Sequence, residues 1–167
     1  MFETNSSSVH SICISKKPVG NVKGKKIVFY LGEYGWENSA DNTADYLYTA
    51  IMCRYNSEEL LDKLKSILDK YEIDYTFQPE DKASRWWGID HSEDTIDFVN
   101  AVLEDEDLLL RCLFNDDSVV YTGNDNCGSN DCLDTCFIGD KYYWGDDGEE
   151  LNPYHDENNF DYFIKGN

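Results

Sequence analysis

Ser57-Glu58-Glu59-Leu60-Leu61-Asp62-Lys63-Leu64-Lys65-Ser66-Ile67-Leu68-Asp69-Lys70-Tyr71, followed at once by Ile73-Asp74-Tyr75-Thr76-Phe77, decides the fold class. In the first run Leu60, Leu61, Leu64, Ile67, Leu68 and Tyr71 recur at helical spacing. Lys63, Lys65 and Lys70 fall off that stripe, toward solvent. Asn56 or Ser57 can cap its start, and Glu58 and Glu59 suit the positive end of the helix dipole. The period then switches from 3.6 to 2. Ile73, Tyr75 and Phe77 alternate with polar residues until Pro79 stops the run, which predicts a short strand.

The same two periods continue on both sides. Upstream, Ile12 and Ile14 alternate within Val9-His10-Ser11-Ile12-Cys13-Ile14-Ser15, and Lys26-Ile27-Val28-Phe29-Tyr30-Leu31 is rich in β-branched and aromatic residues. Pro18, Gly20 and Gly24 break the chain between them. Residues 1–31 therefore read as a basic, antiparallel β-hairpin. Asn42, with Asp45 three residues on, caps a helix carrying Ala44, Leu47, Tyr48, Ile51, Met52 and Tyr55. Asp90-His91-Ser92-Glu93 reads as a capping box before a helix burying Ile96, Val99, Val102 and Leu103. Glu104-Asp105-Glu106-Asp107 ends or interrupts that helix, and Leu108 to Phe114 forms another. Val119-Val120-Tyr121 and Lys141-Tyr142-Tyr143-Trp144 read as strands, before a Gly-, Asp- and Asn-rich tail with aromatic islands. The expected architecture is α+β: one domain over residues 1–167, a mostly antiparallel sheet with three or four helices. Residues 104–167 form its acidic, aromatic-rich C-terminal part.

Charge sets the function classes. The 167 residues carry 34 acids against 14 lysines and arginines, a formal charge of -20. The first thirty residues run the other way, with five lysines and only Glu3. Residues 104–161 hold seventeen acids against Arg111 and Lys141. Such a body repels nucleic acid and anionic lipid and attracts basic partners. A carboxylate-studded surface can stand in for the phosphate array of a duplex, so the expected partner is a basic nucleic-acid-binding protein. The expected contacts are Asp116, Asp117, Asp140, Asp146, Asp147, Glu149 and Glu150, with Tyr142, Tyr143, Trp144, Tyr154, Phe160, Tyr162 and Phe163 as aromatic anchors or core.

Three other constellations compete. Ser6, Ser7, Ser8 and His10 include nucleophile and base types, and with Lys16 and Lys17 they would instead hold an anion. The plainer reading is a polar turn, and no G-x-S-x-G elbow is present. Cys127, Cys132 and Cys136 with His155 would make a tetrahedral zinc site, but C-x4-C-x3-C matches structural zinc poorly, so no cofactor is expected. Trp86-Trp87 after Arg85 offers a stacking plane, with one ring in the core and one partly exposed. Cys13, Cys53 and Cys112 read as small core residues. No Walker loop, G-x-G-x-x-G or H-E-x-x-H occurs. No apolar run reaches about 20 residues, and the start lacks a basic segment followed by an apolar one. A cytoplasmic address is expected.

Glu3-Thr4-Asn5-Ser6-Ser7-Ser8-Val9-His10-Ser11, Gly32-Glu33-Tyr34-Gly35-Trp36-Glu37, Tyr46-Leu47-Tyr48-Thr49-Ala50 and Thr122-Gly123-Asn124-Asp125 together resemble small proteins of bacterial phages and related mobile elements. The resemblance implies a phage-type accessory protein in the host cytoplasm and assigns no reaction. Combined with the charge, the expectation is a non-enzymatic inhibitor that mimics nucleic acid and binds a host defence factor such as a CRISPR effector nuclease. The alternative is a small enzyme or anion-binding protein using the Ser/His start.

Overall fold

The helix-to-strand switch at residue 72 organises the molecule. A computed structural model describes residues 8–36, 39–83, 86–124 and 157–165. In chain order the elements are β1 (Ser8–Ser15), β2 (Lys26–Phe29), β3 (Glu33–Tyr34), β4 (Ser39–Asp41), α1 (Thr43–Met52), α2 (Ser57–Lys70), β5 (Asp74–Phe77), β6 (Gly88–Ile89), α3 (Ile96–Glu104), α4 (Glu106–Phe114), β7 (Val119–Asn124) and β8 (Phe160–Lys165). Single 3-10 turns span Glu80–Lys82 and Ser92–Thr95. The fold is α+β, a single domain built on an antiparallel sheet, as expected.

α2 buries Leu64, Ile67 and Leu68, and Leu60, Leu61 and Tyr71 pack against the core from its edges. Glu72, in the left-handed region at φ 52°, reverses the chain into β5. β5 pairs in parallel with β2, from Lys26 opposite Asp74 to Phe29 opposite Phe77. A parallel pair needs a long crossover, and α1 with α2 supplies it. Phe29 and Phe77 stack at 4.7 Å between ring centres.

The main sheet has the order β4-β7-β1-β8, with every neighbouring pair antiparallel. This corrects the hairpin expected for residues 1–31. β1 pairs with β7 and β8, while β2 joins a different sheet. The physical reason lies in burial. Ile12 and Ile14 on one side of β1, and Ser11, Cys13 and Ser15 on the other, are all at most 1 % exposed. A strand buried on both faces belongs in the interior of a sheet, with two neighbours. The Lys/Gly turn instead links the two sheets. Gly24, at φ 73°, donates to the Glu72 carbonyl, and Lys23 pairs with the Glu72 carboxylate at 2.7 Å. A second correction concerns the tail. Residues 160–165, read only as aromatic islands, form β8 alongside β1.

Asn42 caps α1, its Oδ1 accepting from the Asp45 N–H at 2.8 Å. α1 is buried almost all round, through Tyr46, Leu47, Tyr48, Thr49, Ala50 and Ile51. It ends at Met52, so Tyr55 leaves the expected apolar stripe and is 100 % exposed. Asp105 ends α3 and caps α4, accepting from the Leu108 N–H at 3.1 Å. Arg111 ties α4 to the sheet. Its Nη1 donates to the Ser15 carbonyl at 2.9 Å and to Asp161 on β8 at 2.8 Å, and its Nε donates to Asp107. Cys13 and Cys112 are buried free thiols, pushed up to about 11 and about 12 by burial, and Cys53 is half-buried. The strand expected at Lys141 to Trp144 lies outside the described residues.

Candidate functional site

Four stretches far apart in sequence meet at one end of the main sheet. The registers put Ser39 on β4 opposite Thr122 on β7, Thr122 opposite His10 on β1, and His10 opposite Lys165 on β8. Directly opposed residues share a sheet face, so these four make one polar row across the strands. His10, Thr122 and Lys165 are each at most 3 % exposed, while Ser39 sits half-buried at the rim. Ser39 Oγ lies 2.7 Å from Thr122 Oγ1 and donates to Asp41 Oδ2 at 2.5 Å. His10 Nδ1 lies 2.6 Å from the Tyr46 hydroxyl on α1. Tyr46 in turn packs edge-on against Tyr34 of β3, with ring centres 4.9 Å apart.

Burial governs the chemistry of this row. Together with the smaller effect of the nearby Lys165 ammonium, it lowers the His10 pKa to about 3. The imidazole is therefore neutral at pH 7. Burial also raises the Tyr46 phenol well above its usual value, with Tyr34 and Cys53 adding to the effect. Lys165 is lowered by burial, against the opposing field of Asp90, Asp94 and Glu93. A neutral, sealed imidazole bound to a protonated phenol neither meets solvent nor activates a surface serine. Its hydrogen bond satisfies two polar groups that burial would otherwise penalise.

Of the expected anion-binding set, the described members His10, Lys16 and Lys17 are not brought together. Ser6 and Ser7 lie outside the described residues, and so does the side chain of Ser8. His10 points into the core. Lys16 and Lys17 stand at the other end of the strand, six to seven residues on, or roughly 20 Å at the rise of an extended chain. Lys16 donates to the Glu157 carbonyl and lies 3.9 Å from Asp161. Lys17 pairs with Asp117 at 2.6 Å. Strand geometry separates what the sequence had placed close together.

Of the expected partner contacts, Asp116 and Asp117 are exposed, with Asp117 held by Lys17. Asp140, Asp146, Asp147, Glu149 and Glu150 lie outside the described residues, as do Cys127, Cys132, Cys136 and His155. Among the described residues no three His, Cys, Asp or Glu side chains gather as a metal site. Nor is any helix among them long and apolar enough to cross a membrane. Trp86 is 69 % exposed, and Trp87 packs against the core.

A second acidic face, ahead of the expected one, emerges from the fold. Residues 90–107 hold eight carboxylates and no lysine or arginine. Glu106 is held by Lys70 at 2.7 Å and by the Tyr71 hydroxyl, and Asp107 by Arg111. Glu93, Asp94, Asp97 and Glu104 are exposed, and no described lysine or arginine forms an ion pair with them. Arg54 spends its Nη2 on the turn itself, donating to the Ser92 and Glu93 carbonyls and to Thr95 Oγ1 at 2.9–3.1 Å. Tyr55, next in the chain, is fully exposed, and Ile96, which opens α3 after the clamped turn, is 47 % exposed. The sequence signal was present, a run of acids free of bases, but its start was read as a capping box and its last four residues as the beginning of the acidic stretch 104–161. Comparison with protein-family models, with curated proteins and with solved structures yields no match to this chain.

Proposed function

We propose that this chain is a binding protein, not an enzyme, and that it engages a basic nucleic-acid-binding protein through its carboxylate surface. The phage-type motifs make a host defence nuclease, such as a CRISPR effector, the natural target class. One observation carries the reading. Glu93, Asp94, Asp97 and Glu104 stand exposed along the turn and helix that carry the half-exposed Ile96, while Lys16, Lys17 and Lys23 are turned to acids of their own chain. Three of the five N-terminal lysines are thus offset by their own chain while Lys25 and Lys26 stand exposed, and the acids of residues 90–107 keep their excess. An apolar centre ringed by charge is the anatomy of a protein interface.

The spacing refines the reading. Asp97 and Glu104, seven residues apart on one helix face, lie about 10 Å from each other at a rise of 1.5 Å per residue. Duplex DNA carries a charge about every 1.7 Å of axis. This face is thus sparser than a duplex and supports a few point contacts to lysines and arginines. Charge steers the partner in, and the half-exposed Ile96 on the same helix supplies desolvated contact.

The test is affinity capture from host lysate at about 50 mM and about 500 mM salt, with the chain and with E93Q/D94N/D97N/E104Q. Exposed charges are screened beyond about 8 Å at physiological salt, so capture should fall at the higher salt and with the neutralised variant. Equal recovery of the same protein by both chains would overturn the proposal. So would recovery at low salt of no nucleic-acid-binding protein.

A further inference from the structure

Glu33, Gly35, Trp36, Ser39 and Asp41 line an open cavity of about 250 Å3 at the rim of the main sheet. Its described walls come from β3, from Gly35 and Trp36 after it, and from β4. Gly35 adopts φ 107°, a conformation that L side chains rarely take, and the chain leaves it with the Trp36 indole 49 % exposed. Ser39 is fixed by Thr122 on the neighbouring strand and binds one oxygen of Asp41. The polar row that seals His10 thus also anchors the floor of this cavity.

The lining selects its ligand. Among the described lining residues two carboxylates and no cation disfavour an anion. Among the described residues neither Glu33 nor Asp41 has a lysine or arginine ion-pair partner. A bare metal ion would find only two carboxylates in a space far larger than itself, and indole is no ligand for it. An organic cation answers all three wall types. Its flat or methylene part lies against the Trp36 ring, and its N–H groups reach the Asp41 and Glu33 oxygens. Guanidinium fits better than ammonium, because its planar face stacks on an aromatic ring while its edge donates to carboxylates.

We infer that this cavity is a guanidinium-binding site, built to take an arginine side chain or a small guanidine between Trp36, Glu33 and Asp41. The inference deepens the reading above, since a basic partner presents such a group, yet it can be tested without the partner. The probe is N-acetyl-arginine amide, titrated into the full chain and followed by the Trp36 indole N–H signal, assigned by its loss in W36F. The control probe is the neutral isostere N-acetyl-citrulline amide.

A saturable shift with the arginine probe only is expected. E33Q should weaken it up to about fivefold, the scale of one exposed ion pair. W36L should weaken binding about two- to fivefold, the scale of an exposed cation–π contact, read then from the neighbouring backbone amides. Glu33 is exposed, so E33Q tests the site without risking the fold. A short arginine-containing peptide forms the second arm. Binding at least about tenfold tighter than the single residue identifies a polypeptide as the source, and equal binding a free guanidine; both sustain the site. An absent or non-saturable shift, an equal response to citrulline, or unchanged affinity in E33Q together with D41N would overturn it. Continued capture of a basic partner in that case would leave the broader function standing while removing this site from it.

Discussion

Substituting His10 with glutamine tests how firmly the sheet seals its polar row. His10 is 0 % exposed, and its imidazole titrates at about 3 rather than 6.5 because burial disfavours the charged form. The folded protein therefore binds no proton there between about pH 6.5 and 3, whereas the unfolded chain does. Stability from keeping this base neutral is complete above pH 6.5 and is lost as the pH falls through that window. Each unit is worth about 1.36 kcal/mol, so roughly 2 kcal/mol disappears by pH 5. The variant has no such group. Its instability relative to wild type should shrink by that amount between about pH 7.5 and pH 5. Comparing the two chains cancels the pH dependence of the remaining acidic body, which is common to both. Urea unfolding at five pH values across the range gives the difference directly. A constant difference would mean that His10 exchanges its proton freely when folded, and the account of the buried row would fail. An NMR titration of the folded protein in which the His10 ring responds near pH 6.5 would refute it equally.

Two further outcomes follow from the same structure. Replacing Arg111 with methionine keeps the packing of its stem but strands Asp161 and the Ser15 carbonyl, and should lower unfolding stability by about 2–3 kcal/mol; Asp161→Asn should cost about half of that, by chemical denaturation. Asp105→Ala removes the cap of α4 and should cost about 1 kcal/mol, seen as a lower denaturation midpoint with an unchanged slope.

Local order was legible where its cause is local. The stripe of α2, the Asn42 cap and the break at Asp105 all act within four residues of themselves. The acidic helix face was legible as composition but not as a surface. Only Arg54 reaching across to the Ser92–Thr95 turn ties that face to the end of α1. The wall of the guanidinium cavity was legible as a glycine-rich break and no more, because its opposite side comes from β4.

The amino-acid order by itself determined the class of fold, the Asn42 cap and the sign of the field, since periodicity and charge are written into consecutive residues; the capping box expected at residues 90–93 instead leads into a 3-10 turn with no side-chain cap, and Asn56 makes none for α2. The tertiary structure alone decided that β1 is a central strand, that His10 is a sealed base and that Lys16 and Lys17, at the far end of that strand, face Asp161 and Asp117. Those outcomes depend on contacts such as that between Ser15 and Ser118, 103 positions apart. Closing loops of that length costs little more than closing shorter ones, so no nearby residue marks the partner. Burial of both faces of a strand selects its neighbours, and burial is a property of the assembled sheet.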